Sequence, residues 1–275
     1  MTAAKTMQAA VLDSHGAAFR VAPVPQPDPQ PGQVLVRIEA SAVNPLDIKI
    51  RAGQAAHARQ PLPAILGIEL AGVVEAVGSG VTSFRHGDEV YGMTGGVGGL
   101  LGSLAEYAVV DADLLAPKPA NLAMREAAAL PLIFITAWEG LVDRAAVHSG
   151  QKVLIHGGAG GVGHVAIQIA RAVGAEVFAT GSAASKTFIE RLGAVAIDYR
   201  EVSVENYVAT YTGGRGFDIV YDTVGGATLD ASFNAVCRFG HVVSALGWGT
   251  HALAPLSFRA RELFKRVHTV TDADR

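Results

Sequence analysis

The residues that first invite chemistry are Gly158-Ala159-Gly160-Gly161-Val162-Gly163. Gly158, Gly160 and Gly163 stand at G-x-G-x-x-G spacing, between the apolar run "KVLIHG" and the helix-like run "GHVAIQIARAVG". In that setting Gly158 takes the sharp turn out of a strand. Gly160 lets the backbone approach a pyrophosphate, and Gly163 lets the helix pack close to the sheet. The phosphates would sit on free N–H groups at the helix N-terminus, where the dipole is positive. Val162, Ala166, Ile169 and Val173 recur at three- and four-residue steps and mark an inward face, and Gly174 ends the helix. The alternative is a tight turn that binds nothing. The strand before, the helix after and the further strand–helix pairs behind favour a dinucleotide. A second glycine-rich stretch, 92–103, lacks a following Lys-Ser/Thr and is no phosphate loop. It reads as a mobile connection over the active site.

The second strand decides which dinucleotide. An NAD-preferring site ends that strand in Asp or Glu, for the ribose 2′-OH. Here "EVFATGSAASK" ends in Gly181-Ser182, and its carboxylate, Glu176, opens the strand instead. The Ser182 hydroxyl and the Lys186 charge suit a 2′-phosphate, hence NADP(H). The plainer alternative leaves Lys186 as a solvated lysine at a helix start.

These residues need elements to hold them. Residues 1–130 are short, valine-rich apolar runs punctuated by glycine, proline and aspartate. They predict a closed or partly closed antiparallel barrel. The four prolines of "VPQPDPQPGQ" predict an exposed connection. From residue 131 the pattern changes: a helical run broken at Pro131, then strands alternating with short helices up to "HVVSALG". That alternation means βαβ units and a parallel sheet, with five strands expected. The fold class is therefore α/β, with a β-rich unit over 1–130 and a dinucleotide-binding unit over 131–275.

Composition excludes several classes. Half of the 275 residues are apolar and 17% are charged, which fits a globular chain. With a net charge of −3 and no basic tract, nothing invites nucleic acid or an acidic membrane surface. The single cysteine, Cys237, rules out an intrachain disulfide and a multi-cysteine zinc site. It lies in what reads as a helix end, "LDASFNAVCRFG", as a buried structural thiol. The longest apolar run, "EAAALPLIFITAWEG", is too short to cross a bilayer, and no signal peptide is apparent. A cytoplasmic location is expected. There is no Gly-x-Ser-x-Gly elbow, no Tyr-x-x-x-Lys pair and no His-x-x-x-His spacing.

Together these motifs resemble the medium-chain dehydrogenase/reductase superfamily, and within it the zinc-free, zeta-crystallin-like quinone oxidoreductases. The likeness rests on Gly150-Gln151-x-x-Leu154, the glycine stretch, Gln168 and Arg171. "ASAVNPLDIKIRAG", "GIELAGVVEAVGSGVTSFRHGDEVYG", "LAEYAVV" and "ITAWEGL" match in order, over about residues 7 to 258. The resemblance implies a GroES-like catalytic domain followed by a Rossmann domain. It implies that Asn44 lies beside the nicotinamide ribose and substrate, and that Thr136 reaches the cofactor. Ser182, Lys186 and Tyr199 would hold the 2′-phosphate and adenosine, and the backbone of Ala245-Leu246-Gly247 would border the nicotinamide. Taken without the family, Asn44 is a turn residue, Thr136 a helix hydroxyl and Tyr199 a strand-end aromatic.

Zinc-dependent relatives carry Cys where Asn44 stands and Gly-His-Glu where this chain has Gly67-Ile68-Glu69. No zinc is therefore expected. Glu69 is expected to pair with Lys49 or Arg51, or to line the cleft. The family's tyrosines in this region are replaced, at Lys49 and Ala55. The implied activity is NADPH-dependent hydride transfer to a quinone or an α,β-unsaturated carbonyl. The alternatives are an enone or enoyl reductase, and a cofactor-binding protein with little turnover. The tail "RARELFKRVHTVTDADR" departs from the family's apolar continuation, as from a shifted reading frame or a natural short variant with a polar helix. It predicts an incomplete sheet with an exposed edge and a weakened family-type homodimer.

Overall fold

The computed structural model describes residues 5–246 and 266–269. The chain divides into two compact units, Met1–Leu132 and Ile133–Arg275.

The first unit is built of short antiparallel strands, because its apolar residues alternate and its turns come every few residues. Its elements are β1 (Thr6–Leu12), β2 (Arg20–Pro25), β3 (Gln33–Ser41), α1 (Pro45–Arg51), β4 (Ala64–Ile65), β5 (Glu69–Val77), β6 (Glu89–Met93), β7 (Tyr107–Asp111), β8 (Leu115–Pro117) and α2 (Met124–Ala127). They form a five-stranded sheet in the order β7-β3-β5-β6-β8 and a three-stranded sheet in the order β2-β1-β4. An antiparallel bridge between Ala9 and Ala105 links strand β1 to the approach to β7. This is the partial barrel that the sequence predicts. Val34, Val36, Leu70, Val74, Val90 and Val110 fill the core of the larger sheet. The glycine-rich stretch 92–103 is anchored, contrary to expectation. Gly98 N–H donates to Ala58 O, Gly102 N–H to Ile65 O and Ser103 N–H to Gly67 O.

The second unit alternates. After α3 (Pro131–Trp138) and a π-helical turn at Glu139–Arg144 come β9 (Lys152–His156), α4 (Gly161–Ala172), β10 (Glu176–Gly181), α5 (Lys186–Arg191), β11 (Val195–Asp198), α6 (Val204–Thr212), β12 (Phe217–Asp222), α7 (Ala227–Ala235), β13 (Val236–Ser244) and β14 (Arg266–Thr269). The sheet is parallel throughout and ordered β11-β10-β9-β12-β13-β14. That is the doubly wound order, with the reversal between β9 and β12. Both faces are covered, as a parallel sheet requires. Val153, Ile155, Val177 and Ile219 enter one core, and Leu154, Phe178 and Val220 enter the other. No helix among the described residues is long and apolar enough to cross a membrane.

Two expectations need correction. Five strands are expected, and the sheet has six, because Arg266–Thr269 runs parallel to β13. An edge strand is held by backbone pairing, so an apolar sequence is not required of it. Cys237 is not at a helix end. It is the second residue of β13, is buried, and burial pushes its thiol pKa up.

Candidate functional site

The glycine turn is shaped by steric demand. β9 ends at His156, and Gly157 takes the turn with φ +76°. A Cβ there would meet Thr223 Oγ1 at 2.8 Å and Val224 Cγ2 at 2.9 Å. The turn therefore belongs to Gly157, one residue before the Gly158 that the motif nominates. Gly158 is small for another reason: a Cβ would press on Ala179 and Ile167. A Cβ on Gly163 would collide with the Gly157 carbonyl and the Gly158 backbone, so this glycine seats the first helical turn on the loop, not on the sheet. Gly160 is the N-cap, and the helix's hydrogen bonds begin with His164 N–H to Gly160 O at 3.0 Å. The N–H groups of Gly161, Val162 and Gly163 precede that bond and lie at the positive end of the helix dipole. Inward, α4 buries Val165, Ala166, Ile167, Ile169 and Ala170; Val162 is partly buried and Val173 is exposed.

Next to this turn, β10 ends in Gly181. A Cβ there would meet the Ile189 side-chain tip, Cδ1, at 2.7 Å and Ser185 Cβ at 3.2 Å, so a side chain at this position would have to displace them. A concavity of about 340 Å³ opens beside it, lined by Gly181, Ser182, Lys186, Ile197 and Asp198 among others. Ser182 Oγ lies 3.2 Å from Ser185 Oγ. Lys186 is largely exposed, with its ammonium 3.9 Å from Glu190. Tyr199 N–H donates to Gly181 O, which fixes the Tyr199 backbone to the end of β10. The structure thus places Ser182 and Tyr199 just past the neighbouring strand ends of β10 and β11, and Lys186 at the start of α5. Sequence reasoning missed Arg200, whose guanidinium lies over the Tyr199 ring at 5.5 Å and donates to its hydroxyl at 3.3 Å. It also missed Asp198, which turns Oδ1 onto the Arg200 N–H at 3.0 Å. The run "DYRE" holds both, and only the register of β11 against β10 brings Asp198 to the concavity.

At the other strand ends, Thr136 sits in α3, where its carbonyl accepts from the Tyr221 hydroxyl at 2.8 Å. Ala245 N–H donates to Asp222 O at 2.9 Å, and Leu246 is exposed. Gly247 lies outside the described residues. Four buried polar side chains here carry no motif: His156 closes β9, Thr180 is the last residue but one of β10, Asp222 closes β12 and Ser244 closes β13.

In the first unit Asn44 is buried as the N-cap of α1. Its Nδ2 donates to Glu69 Oε1 at 2.6 Å, and its backbone N–H donates to Asp47 Oδ2 at 2.8 Å. Asp47 Oδ1 also accepts from Gly67 N–H at 3.1 Å, and Glu69 Oε2 from Leu132 N–H at 2.8 Å. Glu69 therefore pairs with Asn44 and the Leu132 backbone, and not with Lys49 or Arg51. Lys49 is exposed, and Arg51 donates to Ala17 O. Burial raises the pKa of both Asp47 and Glu69, against the hydrogen bonds that favour their charge. A zinc ion fits poorly here. The buried donors are one amide and two carboxylates already engaged, and Ile68 supplies no ligand. Among the described residues no three His, Cys, Asp or Glu side chains come together as a metal site.

Comparison with known proteins agrees with this architecture. Residues 30–120 match the alcohol dehydrogenase GroES-like domain, and residues 161–273 match the family described as zinc-binding dehydrogenase. An alcohol dehydrogenase superfamily protein from Novosphingobium aromaticivorans is 61% identical, with a TM-score of 0.91 over 97% of this chain and 79% of that one. The human quinone oxidoreductase is 33% identical over 86% of this chain and 71% of its own length. The NADPH-dependent alkenal/one oxidoreductase of Arabidopsis thaliana, a chloroplast protein, is 39% identical over 85% of this chain. The chain spans less than two thirds of several curated relatives, 59% of the plant enzyme among them. On these matches and this sheet order, the chain belongs to the medium-chain dehydrogenase/reductase superfamily.

Proposed function

We propose that the protein is an NADPH-dependent, zinc-independent oxidoreductase that reduces a quinone or an α,β-unsaturated carbonyl compound. The observation that carries the cofactor choice is the end of β10. Gly181 and Ser182 stand where a carboxylate would bind a ribose 2′-OH, and Ser182 and Lys186 border a concavity of about 340 Å³, ample for a 2′-phosphate. The glycine turn fits the rest of a dinucleotide, because backbone N–H groups and the helix dipole converge where side chains are excluded. Bound there, the nicotinamide supplies hydride.

The remaining work falls to the chain's own residues. Gly161, Val162 and Gly163 offer backbone donors to the pyrophosphate. Ser182 and Lys186 offer a hydroxyl and a charge to the 2′-phosphate, and Tyr199 offers a ring to the adenosine. Glu69 accepts one Nδ2 hydrogen of Asn44, and Oδ1, which faces the Asp47 backbone N–H of the cap, keeps a second lone pair for a ribose or substrate hydroxyl. No engaged acid–base pair is needed for a quinone, whose reduced oxygen is stabilised by the ring and can take a proton from water. The named activities of the human and Arabidopsis relatives support these two acceptor classes. A cytoplasmic enzyme that forms a weak homodimer completes the reading.

Nicotinamide fluorescence titrations with NADPH and NADH test it. NADPH should bind at least about tenfold more tightly, and Lys186→Ala should remove most of that preference while leaving NADH unchanged. Equal affinities would overturn the NADPH assignment. Turnover of quinones or enones that survives a chelator is the expected second result, and loss of turnover on chelation would return zinc to the mechanism.

A further inference from the structure

Asp222 and His156 are paired positions of adjacent strands, at the carboxyl ends of β12 and β9. Both are buried: His156 is 2% exposed and Asp222 is 0% exposed. Among the described residues, neither His156 Nε2 nor Asp222 Oδ2 has a hydrogen-bond partner. Their other atoms are well engaged. His156 Nδ1 lies 3.2 Å from Thr180 Oγ1, and Thr180 Oγ1 accepts from Gly157 N–H at 3.2 Å. Asp222 Oδ1 accepts from Val224 N–H at 2.9 Å and Gly225 N–H at 3.0 Å. Thr223 Oγ1 donates to His156 O at 2.7 Å, and Thr223 and Val224 lie against Gly157.

Donor counting orders the protons. Thr180 Oγ1 accepts from Gly157, so its own hydrogen is available for His156 Nδ1. Nδ1 then accepts, and the neutral imidazole carries its hydrogen on Nε2. A buried N–H donor and a buried carboxylate oxygen are left over on neighbouring strands, and one bridging water would satisfy both. We infer that Thr180, His156 and Asp222 form a positioning relay that seats the glycine turn against the 223–226 loop, with the His156 proton on Nε2 facing the Asp222 carboxylate. The inference rests on the dinucleotide reading only for its effect on binding. The relay acts on the turn through Gly157, whose N–H Thr180 holds.

Nitrogen NMR of the full chain with ¹⁵N-labelled histidine is the test. The wild type should show Nδ1 bare and Nε2 protonated. In Asp222→Asn, Oδ1 keeps its two backbone donors, so the new NH₂ group faces Nε2–H. Two donors then oppose, and the proton should move to Nδ1. A wild type protonated on Nδ1, or an Asp222→Asn variant that keeps its tautomer, overturns the relay. The wild-type spectrum decides the tautomer even if that variant fails to fold. Thr180→Val should weaken NADPH binding about tenfold, the scale of one lost buried hydrogen bond, and speed hydrogen exchange at the Gly157 amide; Thr180→Ser should restore both. Unchanged affinity and exchange in Thr180→Val would refute the seating role. A wild type that binds no NADPH would count against the proposed function alone, because the tautomer and exchange measurements do not need the cofactor.

Discussion

His156 holds its ring in a site that resists protonation. Burial lowers its pKa from 6.5 to about 4, although the Asp222 charge pulls the other way. The unfolded chain therefore binds a proton that the folded chain refuses. Stability contributed by the neutral ring is complete above the unfolded value of 6.5 and is lost as pH falls towards about 4. Replacing the ring by an uncharged side chain removes that dependence. The difference in Tm between wild type and His156→Gln should move in favour of the wild type as pH rises through this window. Chemical melts or calorimetry across the window measure it, and a pH-independent difference would mean that the ring titrates in the fold as it does in the unfolded chain. None of this was legible in the sequence, where His156 is one apolar-strand histidine among nine. Asn44 shows the same limit from the other side. Its place at the head of "NPLD" marks a capped helix, but its partner Glu69 is 25 residues away and comes from β5. A long-range buried pair leaves no local period to read.

At the scale of elements, alternation carries more. The βα rhythm from residue 150 onward gives the parallel sheet, and the glycine spacing gives the turn. The failures lie where a boundary depends on neighbours. Cys237 follows a helical run but is the second residue of a strand, because Val236 pairs in register with Phe217 of β12. Gly157 takes the turn because Thr223 and Val224 cover it, a contact that no local pattern contains. The glycines of this element can be separated by experiment. A methyl at Gly163 meets backbone that cannot yield, so Gly163→Ala should cost about 2–3 kcal/mol in urea unfolding and abolish NADPH binding. Gly160 has an ordinary φ of −75°, and its nearest obstacle is the Gly157 carbonyl at 3.2 Å. Gly160→Ala should therefore cost less than about 1 kcal/mol, yet still weaken NADPH binding, because the methyl occupies the path of the pyrophosphate. Equal losses of stability in the two variants would contradict this division of labour.

At the scale of the molecule, the question is what closes the sheet. The composition of the tail argues for an open edge after β13, since charges are rare in buried strands. Arg266–Thr269 nevertheless pairs with His241–Ser244 in parallel register. Valine and threonine favour the extended backbone, and the N–H and C=O groups along the outer side of β13 are a template for any strand that reaches them. This makes β14 the cover of an edge that would otherwise pair with another chain. The consequence is measurable. A chain ending at Leu246 should melt about 5 °C lower than the full chain, because a ladder of backbone hydrogen bonds is lost. It should also sediment at equilibrium as larger species than the weak dimer proposed for the full chain, since a bare β13 offers an edge that no two-fold contact caps. A shortened chain that sediments like the full one would show that β13 is protected by its own residues. The proposed weak association of the full chain would then need an origin away from this edge.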